Sequence, residues 1–148
     1  MKTENKQPEI VKGLTTIESE SIEKFYSAWK LKQPTLLDEV CTAEWKDIPL
    51  MPNQKEGPKG LQEIMNVFIE TFPDIEIEIH EIFGTYERAA VRASFHFTHN
   101  RTFLGIEATN KKVAVPIHEF HYLKDGKLTH TWHLEDWFGL LMQRKAME

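Results

Sequence analysis

Hydrophobic positions along the chain change their period near Asp74. Before it, Ile22, Phe25, Tyr26 and Trp29 recur at three- and four-residue spacing, as do Leu61, Ile64, Met65, Phe68 and Ile69. Each set is the buried stripe of an amphipathic helix. Thr15 with Glu18 three residues on predicts a capping box at the start of the first helix. Gln33-Pro34 ends that helix, and Pro34 suits the first turn of a short second one running through Val40. Three prolines and two glycines between Trp45 and Gly60 predict irregular chain, with room for a short strand between Trp45 and Leu50. The third helix ends at Phe72-Pro73. Residues 1 to about 13 read as a loose polar arm, and the remainder, 14–148, as a single domain.

After Asp74 the period is two. Ile75, Ile77 and Ile79 alternate with Glu76, Glu78 and His80, and Ala89, Val91, Ala93, Phe95 and Phe97 alternate with polar neighbours. If these two apolar sets share a face, their pairing requires an odd loop or a bulge around Gly84 to Arg88. Lys112–Leu123 and Lys127–Asp136 form a last hairpin around Asp125-Gly126, a strong two-residue turn signal, and Phe138 to Leu141 turns helical again. Regular pairing from that turn sets His121 against His130, Glu119 against Trp132, Ile117 against Leu134 and Val115 against Asp136, all on one side. The other side carries Tyr122, Phe120, His118 and Pro116 against Thr129, Thr131, His133 and Glu135. That side is aromatic for a solvated face and predicts a sheet-to-sheet homodimer. Helices first and then a meander of long strands make an α+β fold, with helices on one face of a mostly antiparallel sheet.

The chain has 148 residues, 41% hydrophobic and 28% charged, which is a folded globular composition with enough length for a core. A formal charge of −5 and no basic cluster argue against nucleic acid as a partner. No apolar run spans a bilayer, the N-terminus lacks a signal-peptide core, and the single Cys41 permits no internal disulfide, so a cytoplasmic protein is expected.

On the inward side the ionisable groups are isolated among apolar ones, which suits a pocket wall. Asp136 ends that face, where a carboxylate can act as a general base; a position just before a helix is equally that of an N-cap. His99 continues the Phe95 and Phe97 alternation inward and can donate to a developing enolate oxygen, or simply bond backbone. His121 and His130 are candidates for substrate contact near the turn. Glu119 can hold a histidine tautomer, tune Asp136 by repulsion or pair with an arginine. Tyr26, Trp29, Trp45 and Phe68 are candidates for the pocket mouth, with Phe95, Ile117 and Trp132 on its walls, and Tyr26 can bring a hydroxyl into it. The cross-strand pair His118 and His133 supplies two metal ligands where a catalytic site usually needs three, so no metal is expected.

Gly57-Pro58 with Gly60-Leu61, Phe72-Pro73-Asp74, Thr98-His99, Phe103-Leu104-Gly105-Ile106, Asp125-Gly126-Lys127, Trp132, Asp136 and Gly139-Leu140-Leu141 occur in that order. With them the chain, from Ile17 to Gln143, resembles the SnoaL-like polyketide cyclases, also called ester cyclases. These belong to the nuclear-transport-factor-two-like superfamily, which includes ketosteroid isomerase and scytalone dehydratase. The resemblance implies a cone-shaped α+β barrel, no metal or redox cofactor, and a small hydrophobic carbonyl substrate such as a polyketide ester. It implies that Asp136 takes the place of the catalytic aspartate, which removes a proton from carbon between two carbonyls before an intramolecular aldol closure. Ketosteroid isomerase similarly divides its task between an aspartate base and oxyanion donors. Departures from the family pattern are Lys46 where a histidine is frequent, Glu119 where an aspartate is common, and the additional His121, His130 and His133. The same cone also suits a non-catalytic binder of apolar ligands, or a related isomerase, dehydratase or epoxide hydrolase.

Overall fold

The computed structural model describes residues 13–145, so all but the last residue of the expected N-terminal arm lies outside the described residues. Thr15 caps α1 (Thr16–Lys30): its hydroxyl accepts from the Glu18 N–H, and the Glu18 carboxylate accepts from the Thr15 N–H, which is the capping box read from the sequence. A 3-10 turn at Pro34–Leu36 leads into α2 (Leu37–Val40), then β1 (Cys41–Ile48) and α3 (Gly57–Thr71). The strands β2 (Glu76–Thr85), β3 (Arg88–Thr98), β4 (Lys112–Lys124) and β5 (Lys127–Glu135) follow, and α4 (Trp137–Lys145) closes the described chain. One curved sheet has the order β1-β5-β4-β3-β2, with helices packed on it, as expected for the α+β class.

Two elements differ from the pattern reading. β1 begins at Cys41 and pairs parallel with β5, so the short strand anticipated after Trp45 is a full edge strand. α3 begins at Gly57, ahead of its first apolar position. Gly60 has no room for a side chain, since a Cβ there would overlap the Lys55 carbonyl, and the loop before α3 therefore packs directly on the helix.

The extra residues in the sheet decide its faces. In β2 the bulge falls at His80, between the pairs Ile79–Ala93 and Glu81–Arg92, earlier than the Gly84–Arg88 region expected. In the last hairpin, Lys124 pairs with Lys127 and Leu123 with Leu128, but Tyr122 pairs with His130, so Thr129 is an extra residue. Beyond it the pairs are His121–Thr131, Phe120–Trp132, Glu119–His133, His118–Leu134 and Ile117–Glu135. The regular register expected for this hairpin is therefore corrected by one residue. Thr131, His133 and Glu135 turn inward, while His130, Trp132 and Leu134 join Tyr122, Phe120 and His118 on the outside.

The core fills the space between the inner sheet face and the helices. Ile22, Phe25, Tyr26 and Trp29 of α1 and Met65 and Phe68 of α3 meet Ala89, Val91, Ala93, Phe95, Phe97, Val115 and Ile117 of the sheet. Glu18 fastens the α1 end of this core. It is buried, and its second oxygen accepts from the Glu87 N–H in the β2–β3 turn at 2.8 Å. Glu18→Ala removes the carboxylate half of the capping box and that tie together, and leaves the Thr15 hydroxyl accepting from the N–H of residue 18. The expected loss is about 2 kcal/mol or more in urea unfolding, larger than the ~1 kcal/mol expected of Thr15→Ala.

Candidate active site

A cavity lies over β4 and β5, walled by Phe25 and Trp29 of α1, Leu61, Ile64 and Phe68 of α3, and Phe95 and Ile117 of the sheet. Met51 and Gln54 from the β1–α3 loop and Trp137 from α4 complete it, and its ionisable lining is Asp47, Glu119, His133 and Glu135. Its volume is about 70 Å³. That admits a functional group rather than a whole drug-sized molecule, so a larger ligand places one end inside and leaves the rest at the mouth.

Strand parity places the four ionisable groups. Glu119 and His133 are cross-strand partners on β4 and β5, Glu135 is two residues beyond His133, and Asp47 comes from β1. His133 is clamped on both ring nitrogens: Nδ1 lies 2.8 Å from Glu135 Oε1, and Nε2 lies 3.2 Å from Asp47 Oδ1 and 2.7 Å from the Pro49 carbonyl. With acceptors at both nitrogens, the ring is doubly protonated. Burial works against that charge, but hydrogen bonds to Asp47 and Glu135, and their charges, outweigh it and hold the His133 pKa at about 11. Gln54 completes the clamp, donating to Asp47 Oδ2 at 2.6 Å and accepting from the Met51 N–H. His133 is a fixed cation, with no lone pair for a base or metal ligand. Among the described residues no group of three or more His, Cys, Asp or Glu is placed to hold a metal ion.

Glu119 is the lining carboxyl group with no ion-pair partner among the described residues. Its Oε1 accepts from the Tyr26 hydroxyl at 2.9 Å. Burial, and next the charge of Glu135, disfavour its ionisation, while the Tyr26 hydrogen bond and His133 favour it; the balance lifts its pKa to about 8. Behind it, Tyr26 also meets His121 Nε2 at 2.6 Å, His121 Nδ1 meets Thr131 Oγ1 at 2.8 Å, and the Trp45 indole N–H donates to the same Oγ1 at 3.0 Å. Burial drives the His121 pKa down to about 3, so its ring is neutral.

The structure brings together Trp29, Phe68, Phe95, Ile117 and Glu119 in the cavity wall, with Tyr26 and His121 immediately behind Glu119. Other candidates sit elsewhere. Asp136, expected at the end of the inward face, is exposed and caps α4, its Oδ1 accepting from the Gly139 N–H at 2.7 Å. The Thr129 bulge and the turn into α4 account for that placement. A Cβ on Gly139 would lie 2.2 Å from the other Asp136 oxygen, so the pair is packed as a unit. His99 is inward and fully buried as expected, but between Phe72 and Phe97 rather than at the cavity. Trp45 is fully buried behind Thr131 instead of at the mouth. His130 and Trp132 stack on each other on the outer face, 5.4 Å apart, and are corrected from inward to outward positions.

Asp47, Glu135, Gln54 and Trp137 were not candidates from the sequence, and His133, expected on the outer face opposite His118, is corrected to the cavity. Alternation from Trp45 to Asp47 in the short strand was a usable signal for Asp47. His133 and Glu135 were hidden because apolar Trp132 and Leu134 occupy the opposite parity, and strand periodicity assigns apolar residues to the inside.

The model of the SnoaL-like polyketide cyclase family matches residues 20–144. A Bacillus cereus protein described as a candidate polyketide cyclase has 28% identity and a TM-score of 0.75, the alignment covering 88% of this chain and 81% of that one. TsrD from Streptomyces laurentii superposes with a TM-score of 0.78 at 22% identity, covering 90% of this chain and 98% of its own. A SnoaL-like polyketide cyclase from Agrobacterium tumefaciens has a TM-score of 0.72 at 16% identity over 88% and 98% of the two chains. No curated protein matches the chain in sequence. No helix among the described residues is long and apolar enough to cross a membrane.

The raised Glu119 pKa has a thermodynamic consequence. Between the ordinary carboxyl range and about 8 the folded state holds a proton that the unfolded state has lost, so stability falls as pH rises through that window. Glu119→Gln, which keeps the shape without the charge, is expected to match the wild-type melting temperature near pH 5 and exceed it at pH 9. A difference independent of pH would show that Glu119 ionises normally.

Proposed function

This chain belongs to the SnoaL-like polyketide cyclase family, and from that premise we propose a cyclase-type enzyme in which Glu119 removes a carbon-bound proton without a cofactor. The observation that carries the reading is a carboxyl group with a pKa of about 8 in an aromatic cavity, opposite a fixed imidazolium. A carboxylate of ordinary acidity is a poor base toward carbon, and raising its proton affinity closes part of that gap.

The substrate is a small, uncharged carbonyl compound of the β-keto ester type. Among the described residues the lining holds three carboxyl groups, of Asp47, Glu119 and Glu135, against one cation, His133, and no lysine or arginine. A free carboxylic acid is repelled from that field, whereas an ester is not. Ionised Glu119 takes the proton from the carbon between the two carbonyls, and the electron pair moves to oxygen as an enolate. His133 supplies the positive charge that this enolate faces. The enolate carbon then bonds to a second carbonyl carbon of the same molecule, and the new alkoxide recovers the proton from Glu119. In this reading the role expected of Asp136 passes to Glu119, and Asp136 holds the start of α4, which presents Trp137 to the cavity.

The outer face of the sheet is proposed as the contact with a second copy. Phe83, Phe120, Tyr122 and Leu134 are exposed there, Trp132 packs 4.5 Å from Tyr122, and the Arg88 guanidinium lies 3.5 Å above the Tyr122 ring. This apolar ladder supports a self-complementary dimer. Sedimentation velocity at micromolar concentration is expected to show a dimer in the wild type and a monomer for Trp132→Glu.

Activity is tested by proton exchange at the activated carbon of aromatic β-keto esters in deuterated water, followed by NMR. Wild-type exchange is expected to rise about tenfold per pH unit below pH 8 and level off above it, as the ionised fraction of Glu119 dictates. Glu119→Gln is expected to lose a factor of ~10²–10⁴, and Asp136→Asn to retain exchange. Loss in Asp136→Asn with a normal Glu119→Gln would return the base to Asp136. Absence of exchange in wild type would favour a ligand-binding role for the cavity.

A further inference from the structure

The buried chain behind Glu119 crosses four elements, from Trp45 on β1 to Thr131 on β5, His121 on β4 and Tyr26 on α1, and each of these side chains is buried. We propose that this chain is a one-way hydrogen-bond relay, in which Trp45, Thr131 and His121 are positioning residues that compel Tyr26 to donate to Glu119 Oε1. The geometry stands by itself; its importance for turnover rests on Glu119 being the base.

The direction follows from counting protons. An indole N–H can only donate, so Thr131 Oγ1 accepts from Trp45. Among the described residues that oxygen has two partners, Trp45 and His121. The single Thr131 hydroxyl proton therefore goes to His121 Nδ1. A neutral imidazole that accepts at Nδ1 donates at Nε2, so His121 gives its proton to the Tyr26 oxygen. Tyr26 then has one proton left and one acceptor, Glu119 Oε1. The reverse order leaves the Thr131 hydroxyl proton facing an N–H group in a site closed to water, and such an orphaned donor is disfavoured. The relay thus excludes Oε1 as a proton carrier. The proton taken from substrate resides on Oε2, the oxygen not bound to Tyr26, and is returned from there.

Besides Tyr26, the charged groups around Glu119 are His133 and Glu135 of β5 and Asp47 of β1. None belongs to the relay, so changes within the relay leave the surrounding charge unaltered. Tyr26→Phe removes the last hydroxyl of the chain and withdraws its donor from Glu119 Oε1 without adding a charge.

The test needs no substrate. Two-bond ¹⁵N–¹H correlation spectra of the wild-type protein are expected to show His121 as the Nε2–H tautomer across pH 5 to 9; an Nδ1–H tautomer overturns the proposal. ¹³C titration of the Glu119 carboxyl group is expected to show its midpoint about one unit higher, a tenfold change in proton affinity, in Tyr26→Phe. Thr131→Ser, which keeps the hydroxyl, is expected to titrate as wild type and to keep the Nε2–H tautomer. A folded Tyr26→Phe with an unshifted midpoint, or a Thr131→Ser with the Nδ1–H tautomer, also overturns it. The tautomer measurement decides the matter if Tyr26→Phe does not fold. A confirmed relay in a protein without exchange activity would separate failure of the proposed function from failure of this inference.

Discussion

Thr129 stands opposite no residue of β4, and the cavity chemistry depends on that one unpaired position. Strand side chains alternate strictly, so a single inserted residue exchanges the two faces for everything that follows. Without it, β5 would present His130, Trp132 and Leu134 to the helices and turn Thr131, His133 and Glu135 to the outside. The bulge is favoured by what each face then gains. Inside, His133 finds Asp47 and Glu135, and Thr131 finds both Trp45 and His121. Outside, Trp132 finds Tyr122 and His130. Because the turn at Asp125-Gly126 keeps its two-residue form, the whole adjustment is absorbed between Leu128 and His130.

Burying several ionisable groups in one small space normally costs more than it returns, unless each is paired or changes protonation state. Both solutions are present side by side. Asp47 and Glu135 are paired with His133, which is shared between them, and Gln54 and the Pro49 carbonyl add further hydrogen bonds. Glu119 is left outside that arrangement and is displaced toward its neutral form. His121, fully buried, is displaced in the opposite sense and also becomes neutral. The cavity therefore separates groups that hold fixed charge from one whose charge can change near neutral pH, and that separation is what proton transfer requires.

Much of the fold was legible because it rests on local signals. The Thr15–Glu18 capping box, the Pro34 boundary, the Phe72-Pro73 stop and the Asp125-Gly126 turn each act within a few residues, and all appear where the sequence places them. The inner face of β3 was legible for a related reason: its outward neighbours are mostly polar or charged, so parity is unambiguous. β5 lacks that contrast. Its outer face carries Trp132 and Leu134 while its inner face carries a histidine and a glutamate, which inverts the usual relation between hydrophobicity and burial. Residues that meet across the fold, such as Tyr26 with Glu119 or Asp47 with His133, leave no trace in local spacing.

In the proposed mechanism Asp136 serves the site without touching the chemistry. Its carboxylate faces solvent, accepts from the Gly139 N–H and is packed so closely against that glycine that a side chain at position 139 would overlap it. The strand ends where the Asp136 N–H is accepted by the Pro116 carbonyl, and the helix begins one residue later. That abrupt change of direction carries Trp137 onto Phe68 and Phe103 and buries Leu140 fully. An aspartate followed at three residues by glycine is thus accounted for by a helix start that closes one wall of the cavity. The same pattern in a sequence otherwise invites assignment as the base, although an exposed carboxylate bonded to a backbone N–H has neither the burial nor the access to substrate that the role demands.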